Sequence, residues 1–278
     1  MATKDVVVIT GGAGGMGVAC ARRLASVGTL LLVDIGREGL QQARTSLTSS
    51  GVDVKTLTCD VTSQEDIDEM ASTVRALGSF RALVHTAGVS PEMAPPRQVL
   101  DVDLLGSARS VEALLPLAGP GSSAVLVGSI AGYSEVDPLV ETVLADPMVD
   151  GFFDLVDAAL SEPLDSATAY VLAKRGVTRL VERSAEAWGE RGARIVSIAP
   201  GLIETSMGLM ELERQPIMPL MVEMTPVKRP GQALPGRPED IANTVAFLVS
   251  DEASFISGCE IRVDGGLVGA AQQMMAQG

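Results

Sequence analysis

Tyr170-Val-Leu-Ala-Lys174 sets a phenol and an ammonium four residues apart, the spacing that places two side chains on one face of a helix. An ammonium beside a phenol favours the phenolate, so such a tyrosine can act as acid or base nearer neutral pH. The same spacing also describes a helix with a packed tyrosine and a solvated lysine. The surrounding sequence must decide between the two.

A second chemical feature lies near the start of the chain. Asp5-Val-Val-Val-Ile-Thr10 runs straight into Gly-Gly-Ala-Gly-Gly-Met-Gly17. An apolar β-branched run followed by glycines reads as a buried strand entering a tight turn. From Met16 to Val27 the apolar residues Val18, Ala21, Leu24 and Ala25 follow helical spacing. Strand, glycine turn and helix N-terminus together make an anion site, because backbone N–H groups and the helix dipole favour phosphate there. A flexible loop is the competing account. It loses ground to Thr29-Leu-Leu-Leu-Val33, a second apolar strand ending in Asp34. A carboxylate there can accept from adenosine ribose hydroxyls and would repel a 2′-phosphate. No basic residue lies between Gly11 and Gly17, whereas Arg37 works the other way. NAD is therefore expected over NADP.

The elements that position these groups follow from patterning. Strands are expected at 5–10, 29–34, 53–58, 80–85, 123–128, 194–198 and 259–263, and helices at 15–27, 37–49, 63–77, 97–117, 167–190 and 238–250. Alternating strands and helices imply an α/β protein with a parallel sheet and helices on both faces. Ligands of such sheets bind beyond the carboxyl ends of the strands. Thr10, Asp34, Asp60, Thr86, Ser129 and Pro200 fall at strand ends and should converge on one edge.

Two segments interrupt the alternation. Residues 133–166 carry acidic residues, prolines and helically spaced apolar residues. Residues 202–236 contain Met207, Met210, Met218, Met221 and Met224, with prolines at 216, 219, 226 and 230. A methionine-rich segment can mould itself to an irregular apolar ligand, although ordinary core packing explains it equally well. Its length and prolines point to a mobile lid.

Composition narrows the function classes. A chain of 278 residues suffices for one substantial core. Its formal charge of −14 argues against nucleic acid and anionic membrane as partners. No apolar run approaches a membrane span, and the first strand begins too early to leave room for a signal peptide. Cys20, Cys59 and Cys259 are expected as reduced, buried thiols of a cytoplasmic protein rather than disulfides. His85 is the one histidine, which removes most metal sites; none is expected, and His85 itself reads as a partly buried residue at a strand end.

In this order the motifs resemble the short-chain dehydrogenase/reductase family over nearly the whole chain. Thr10, Gly11, Gly15 and Gly17 fit its T-G-x-x-x-G-x-G turn, Asp34 its acidic residue, and Asp60-Val61 its adenine-contacting pair. Thr86-Ala87-Gly88 stands where the family has N-A-G. Ser129 closes the fifth strand, Tyr170 and Lys174 fit Y-x-x-x-K, and Pro200-Gly201 with Thr205 follow. Gly236-Arg-Pro-Glu-Asp240 and Val263-Asp-Gly-Gly266 also look like the family.

The resemblance implies a single Rossmann-type, doubly wound parallel sheet of about seven strands spanning 1–278. It implies NAD held by Gly11, Gly15, Met16, Gly17, Asp34, Ile35, Asp60, Val61, Ala87, Gly88, Pro200, Gly201, Ile203 and Thr205, together with Tyr170 and Lys174. Tyr170 would be the general acid/base. Lys174 would lower its pKa and hold the nicotinamide ribose, and Ser129 would hydrogen-bond the substrate oxygen. Ile203 and Thr205 would meet the carboxamide end of the cofactor. Family habit favours a homodimer or homotetramer.

Two departures stand out. Asp103-Leu-Leu-Gly106 occupies the place of the family's N-x-x-G, whose asparagine helps hold a relay water on the lysine. Asp103 is kept as a catalytic-site residue, and a carboxylate beside Lys174 would alter the pH optimum. Ser129 and Tyr170 are also 41 residues apart, where most of the family has a little over a dozen. The extra segment resembles the branch of bacterial 3α-hydroxysteroid dehydrogenase/carbonyl reductases. It should cap the substrate pocket, remodel the subunit interface, or both.

The resulting expectation is an NAD-dependent dehydrogenase/ketone reductase for an apolar, steroid-like or alicyclic secondary alcohol. An NADP-preferring carbonyl reductase and a catalytically silent nucleotide-binding regulator are the alternatives.

Overall fold

The computed structural model describes residues 4–276, so the terminal residues of the expected 1–278 span lie outside it. Strands β1 (Asp5–Thr10), β2 (Thr29–Asp34), β3 (Val54–Thr58), β4 (Ser79–His85), β5 (Ser123–Val127), β6 (Arg194–Pro200) and β7 (Glu260–Val263) form one sheet. Its order is β3-β2-β1-β4-β5-β6-β7, and every neighbouring pair is parallel. The order reverses between β1 and β4, which opens a crevice at their carboxyl ends.

The apolar runs are continuous because both faces of the sheet are covered. Val6 and Val8 point into a core with Ile67, Val74, Leu100, Leu180 and Trp188; Val7 and Ile9 point into another with Cys20, Leu24, Val245 and Leu248. The first core is closed by α3 (Gln64–Leu77), α4 (Pro96–Leu100), α5 (Gly106–Leu114) and α8 (Ser166–Gly189). The second is closed by α1 (Gly15–Arg23), α2 (Arg37–Thr48) and α11 (Pro238–Val249). Trp188 is fully buried and meets Phe80 edge-on, with ring centroids 6.2 Å apart.

Several expected boundaries shift for physical reasons. The helix expected over 15–27 ends at Arg23. That expected over 97–117 is four pieces: α4, a wider π-type turn at Asp101–Leu105, α5, and a tight 3-10 turn at Leu115–Leu117. One widened turn is too local a change in apolar periodicity for the pattern to reveal it. Cys20 and Cys59 are buried as expected, but Cys259, just before the edge strand β7, is exposed; all three are free thiols. His85 is not partly but fully buried, at 1% exposure, because β4 lies inside the sheet.

Residues 133–166 fold into α6 (Pro138–Leu144) and α7 (Phe152–Ala159). They bury Val140, Leu144, Phe152 and Val156 against the first core. Ion pairs fasten them to the outer side of α8. Glu141 bridges Arg175 Nε at 2.5 Å and Arg179 Nε at 2.7 Å, and Asp146 pairs with Arg183 at 2.9 Å. The methionine-rich segment is helical rather than a plain loop, forming α9 (Ser206–Arg214) and α10 (Met218–Met224). A final helix, α12 (Leu267–Met275), was not expected from the sequence.

Candidate active site

The glycine turn is fixed by crowding as much as by flexibility. Gly11 has φ +62°, which favours glycine, and a Cβ on Gly17 would stand 2.3 Å from the Gly11 carbonyl oxygen. No side chain caps the first turn of α1, where a phosphate would be favoured. At the end of β2, Asp34 Oδ2 accepts from Ala13 N at 3.1 Å and Oδ1 from Gly36 N at 2.9 Å. The carboxylate is thereby held beside the glycine turn. Ile35 is exposed next to it, and Asp60 and Val61 follow β3 on the same edge. Thr86 Oγ1 donates to Thr10 O at 2.7 Å and so fastens the turn carrying Ala87 and Gly88 to β1. An uncapped helix start, a turn without room for side chains and a fixed carboxylate fit a dinucleotide.

A cavity of about 780 Å³ lies beyond β4, β5 and β6. It gathers Met16, Gly88, Asp103, Ser129, Tyr170, Lys174, Pro200, Gly201, Ile203 and Thr205 from among the sequence-derived site residues. Gly11, Gly15, Gly17, Asp34, Ile35, Asp60, Val61 and Ala87 do not line it. Met207, Met218, Met221 and Met224 line the cavity, but Met210 does not. No residue of 135–166 lines it either. Of the segment 133–166 expected to cap the pocket, only its first residues, Tyr133 and Ser134, line the cavity, and ion pairs tie α6 to α8.

Helix α8 carries the central pair. Its N-terminus is capped by Asp165, whose Oδ1 accepts from Thr168 N at 2.7 Å. Lys174 Nζ sits 5.3 Å from the Tyr170 ring centroid, and Ser129 hydrogen-bonds the Tyr170 side chain. Lys174 Nζ also lies 2.8 Å from Asp103 Oδ2, with side-chain exposures of 7% and 0%. Gly176 makes this approach possible: a Cβ there would meet Leu104 Cδ2 at 2.6 Å. Asp103 Oδ1 in turn accepts from Val89 N at 2.8 Å.

The electrostatics differ from the simple expectation. Burial pushes the Tyr170 phenol above its ordinary range; Lys174 pulls it down, while Asp103 and Glu211 push it up again. Burial works against charge on Lys174, yet Asp103 and Tyr170 outweigh it and hold the ammonium above its usual pKa. Burial also raises Asp103, which Lys174 opposes. Glu211 in α9 is pushed up to about 7 by burial and by Glu92, with Lys174 opposing. Glu92 and Glu211 both line the cavity, and Glu92 Oε1 accepts from Gln215 Nε2 at 2.8 Å. Neither carboxylate was legible beforehand, since no pattern links a residue after β4 to one in α9. Leu267, Val268 and Met275 of α12 were missed as cavity residues too, although their apolar spacing could have signalled a helix.

A phenol, a hydroxyl and an ammonium aimed at one apolar space can transfer a proton to or from an oxygen and stabilise charge on it. The fold and this constellation define a dinucleotide-dependent oxidoreductase. The short chain dehydrogenase profile matches residues 5–139, and a profile described as Enoyl-(Acyl carrier protein) reductase matches 158–268. The chain is 30% identical to short-chain dehydrogenase/reductase bsc3 of Alternaria brassicicola over 96% of both chains. It is 29% identical to cyclohexanol dehydrogenase of Acinetobacter sp. (strain SE19), covering 94% of both. The solved structure of levodione reductase superposes with a TM-score of 0.75 at 28% identity, covering 96% of this chain and 98% of the other. The chain belongs to the short-chain dehydrogenase/reductase family, whose members use a nicotinamide cofactor and act on alcohols and ketones.

Among the described residues there is no cluster able to hold a metal ion and no helix long and apolar enough to cross a membrane.

Proposed function

We propose that this chain is an NAD-dependent oxidoreductase that interconverts a secondary alcohol and a ketone on an apolar, alicyclic or steroid-like framework. The observation that carries the reading is the convergence of Ser129, Tyr170 and Lys174 on one methionine-lined cavity. Similarity to a cyclohexanol dehydrogenase supports an alicyclic substrate. A cavity of about 780 Å³ leaves room for a larger ring system.

In this reading Tyr170 Oη passes a proton to the carbonyl oxygen in reduction and takes it back in oxidation. Ser129 orients that oxygen and stabilises charge on it. Lys174 keeps Tyr170 placed and holds ribose hydroxyls. The bound nicotinamide supplies or accepts the hydride. Asp34 carries the preference for NAD, since its fixed carboxylate would repel a 2′-phosphate. The turn from Gly11 to Gly17 would hold the pyrophosphate, with Ile35, Asp60 and Val61 toward the adenine and Ala87, Gly88, Pro200, Gly201, Ile203 and Thr205 toward the nicotinamide.

We take the chain as one domain bearing the α6–α7 insertion and an α9–α10 lid, and as a homodimer or homotetramer. The free thiols suit a reducing compartment, and we place the protein in the cytoplasm. The reading is tested by supplying NAD or NADP with steroid, alicyclic and short aliphatic alcohols and following nicotinamide fluorescence. NADH formation from a bulky alcohol supports it. Turnover confined to NADP, or to short aliphatic alcohols, overturns the corresponding part.

A further inference from the structure

The ammonium that should draw Tyr170 toward ionisation is paired with a buried carboxylate. Lys174 Nζ lies 2.8 Å from Asp103 Oδ2, and neither side chain has appreciable contact with water. Screening is weak in such a place, so the two charges act on the nearby phenol nearly as a neutral pair. Asp103 is also fixed. It sits in the π-type turn Asp101–Leu105, its Oδ1 accepts from Val89 N at 2.8 Å, and its own carbonyl accepts from Ser107 Oγ at 2.7 Å. The carboxylate has no alternative position from which to leave Lys174 unopposed.

We propose that Asp103 is a positioning residue that sets the charge state of the site: by cancelling the field of Lys174 it keeps Tyr170 in its phenol form at neutral pH. The proposal rests on the reading of Tyr170 as the proton donor. A phenol is the form that can give a proton to a carbonyl oxygen, so the protein is set for ketone reduction near neutrality. Alcohol oxidation, which needs the phenolate to accept the proton, is displaced toward alkaline pH.

Of the other groups facing this pair, Glu211 acts in the same direction, Ser129 opposes it, and the rest contribute little. Glu211 reaches toward Tyr170 and Lys174 from the lid, and burial pushes its carboxyl up to about 7, so it adds negative charge on the alkaline side of neutrality. Glu92 stands behind it. Ser129 hydrogen-bonds Tyr170 and favours the phenolate. His85, whose pKa burial and Lys174 bring down to about 3, stays neutral throughout. Arg214 lines the cavity but is exposed to solvent and screened.

The chain offers a direct readout, because Tyr133 and Tyr170 are its two tyrosines. In a Tyr133→Phe background, the rise of tyrosinate absorbance with pH reports Tyr170 alone, with no substrate needed. Adding Asp103→Asn should lower the midpoint by about one to two pH units, the Coulomb effect of one weakly screened charge at this range. Glu211→Gln should lower it by less. An unmoved midpoint in a folded Asp103→Asn protein overturns the proposal.

The double variant Asp103→Asn/Lys174→Met removes both charges and avoids a buried unpaired one. It should titrate within about half a unit of the parent. A rise of a unit or more would mean that Lys174 acts uncancelled, and would also overturn the proposal. Cyclohexanol oxidation, followed across the same pH range, should show its ionisation move with the titration. A shifted titration without any turnover would count against the proposed function and leave the charge assignment standing.

Discussion

Gly17 stands over the carbonyl of Gly11 so closely that a Cβ at position 17 would lie 2.3 Å from the oxygen. The two glycines therefore fix each other's backbone, and with it the start of α1. Gly17→Ala forces the turn apart rather than nudging a side chain, at a cost of about 1–3 kcal/mol. We expect a lower Tm and at least about tenfold weaker NADH binding. Unchanged binding by fluorescence titration would show that the turn does not hold the cofactor.

Tyr170→Phe keeps the ring and removes the proton. Turnover should fall by about 10²–10⁴-fold while NADH affinity stays near that of the parent. Retained turnover would refute the acid/base role. Lys174→Ala is expected to lower both affinity and rate, because it would remove the proposed ribose contact and leave Asp103 buried and unpaired.

Asp34→Ala removes the acceptor of Ala13 N and Gly36 N together with the charge proposed to oppose a 2′-phosphate. The ratio of kcat/KM for NAD over NADP should fall by at least about tenfold, the equivalent of 1.4 kcal/mol. A constant ratio would move the discrimination elsewhere, with Arg37 the first residue to examine.

His85 is fully buried and its Nδ1 lies 2.9 Å from Thr10 Oγ1. Burial and the nearby Lys174 bring its pKa from 6.5 down to about 3. The unfolded chain therefore binds a proton between these values that the folded chain does not. Its contribution is full above pH 6.5 and is lost as pH falls toward 3. Over that window it should remove several kcal/mol of stability. Thermal unfolding of His85→Gln should show a shallower loss of Tm across this range, and an identical acid limb would dismiss the assignment.

The insertion presents exposed Leu139 and Leu155, at 69% and 43% exposure, on the outer side of α8. If it remodels the subunit interface, Leu139→Asp with Leu155→Asp should reduce the oligomer size by light scattering. Substrate range should stay the same, because no residue of 135–166 lines the cavity. An unchanged mass would remove the interface role.

The strands β1 and β2, the glycine turn and the Tyr170–Lys174 pair were legible from the sequence, and for β1 and β2 to the residue. Each rests on interactions within a few residues: continuous apolar runs, a turn that tolerates only glycine, a one-turn helical spacing. What only the tertiary structure decided is how residues far apart in the chain meet. Asp103 reaches Lys174 because Gly176 lets α8 press against Leu104. Glu92 and Glu211 share a cavity because α9 folds back over β4's loop, and Glu141 turns the insertion away from that cavity by pairing with Arg175 and Arg179. Burial and charge pairing at such contacts depend on distance in space, which spacing along the chain does not encode; that is why candidate site residues could be named from the sequence while the charge balance among them could not.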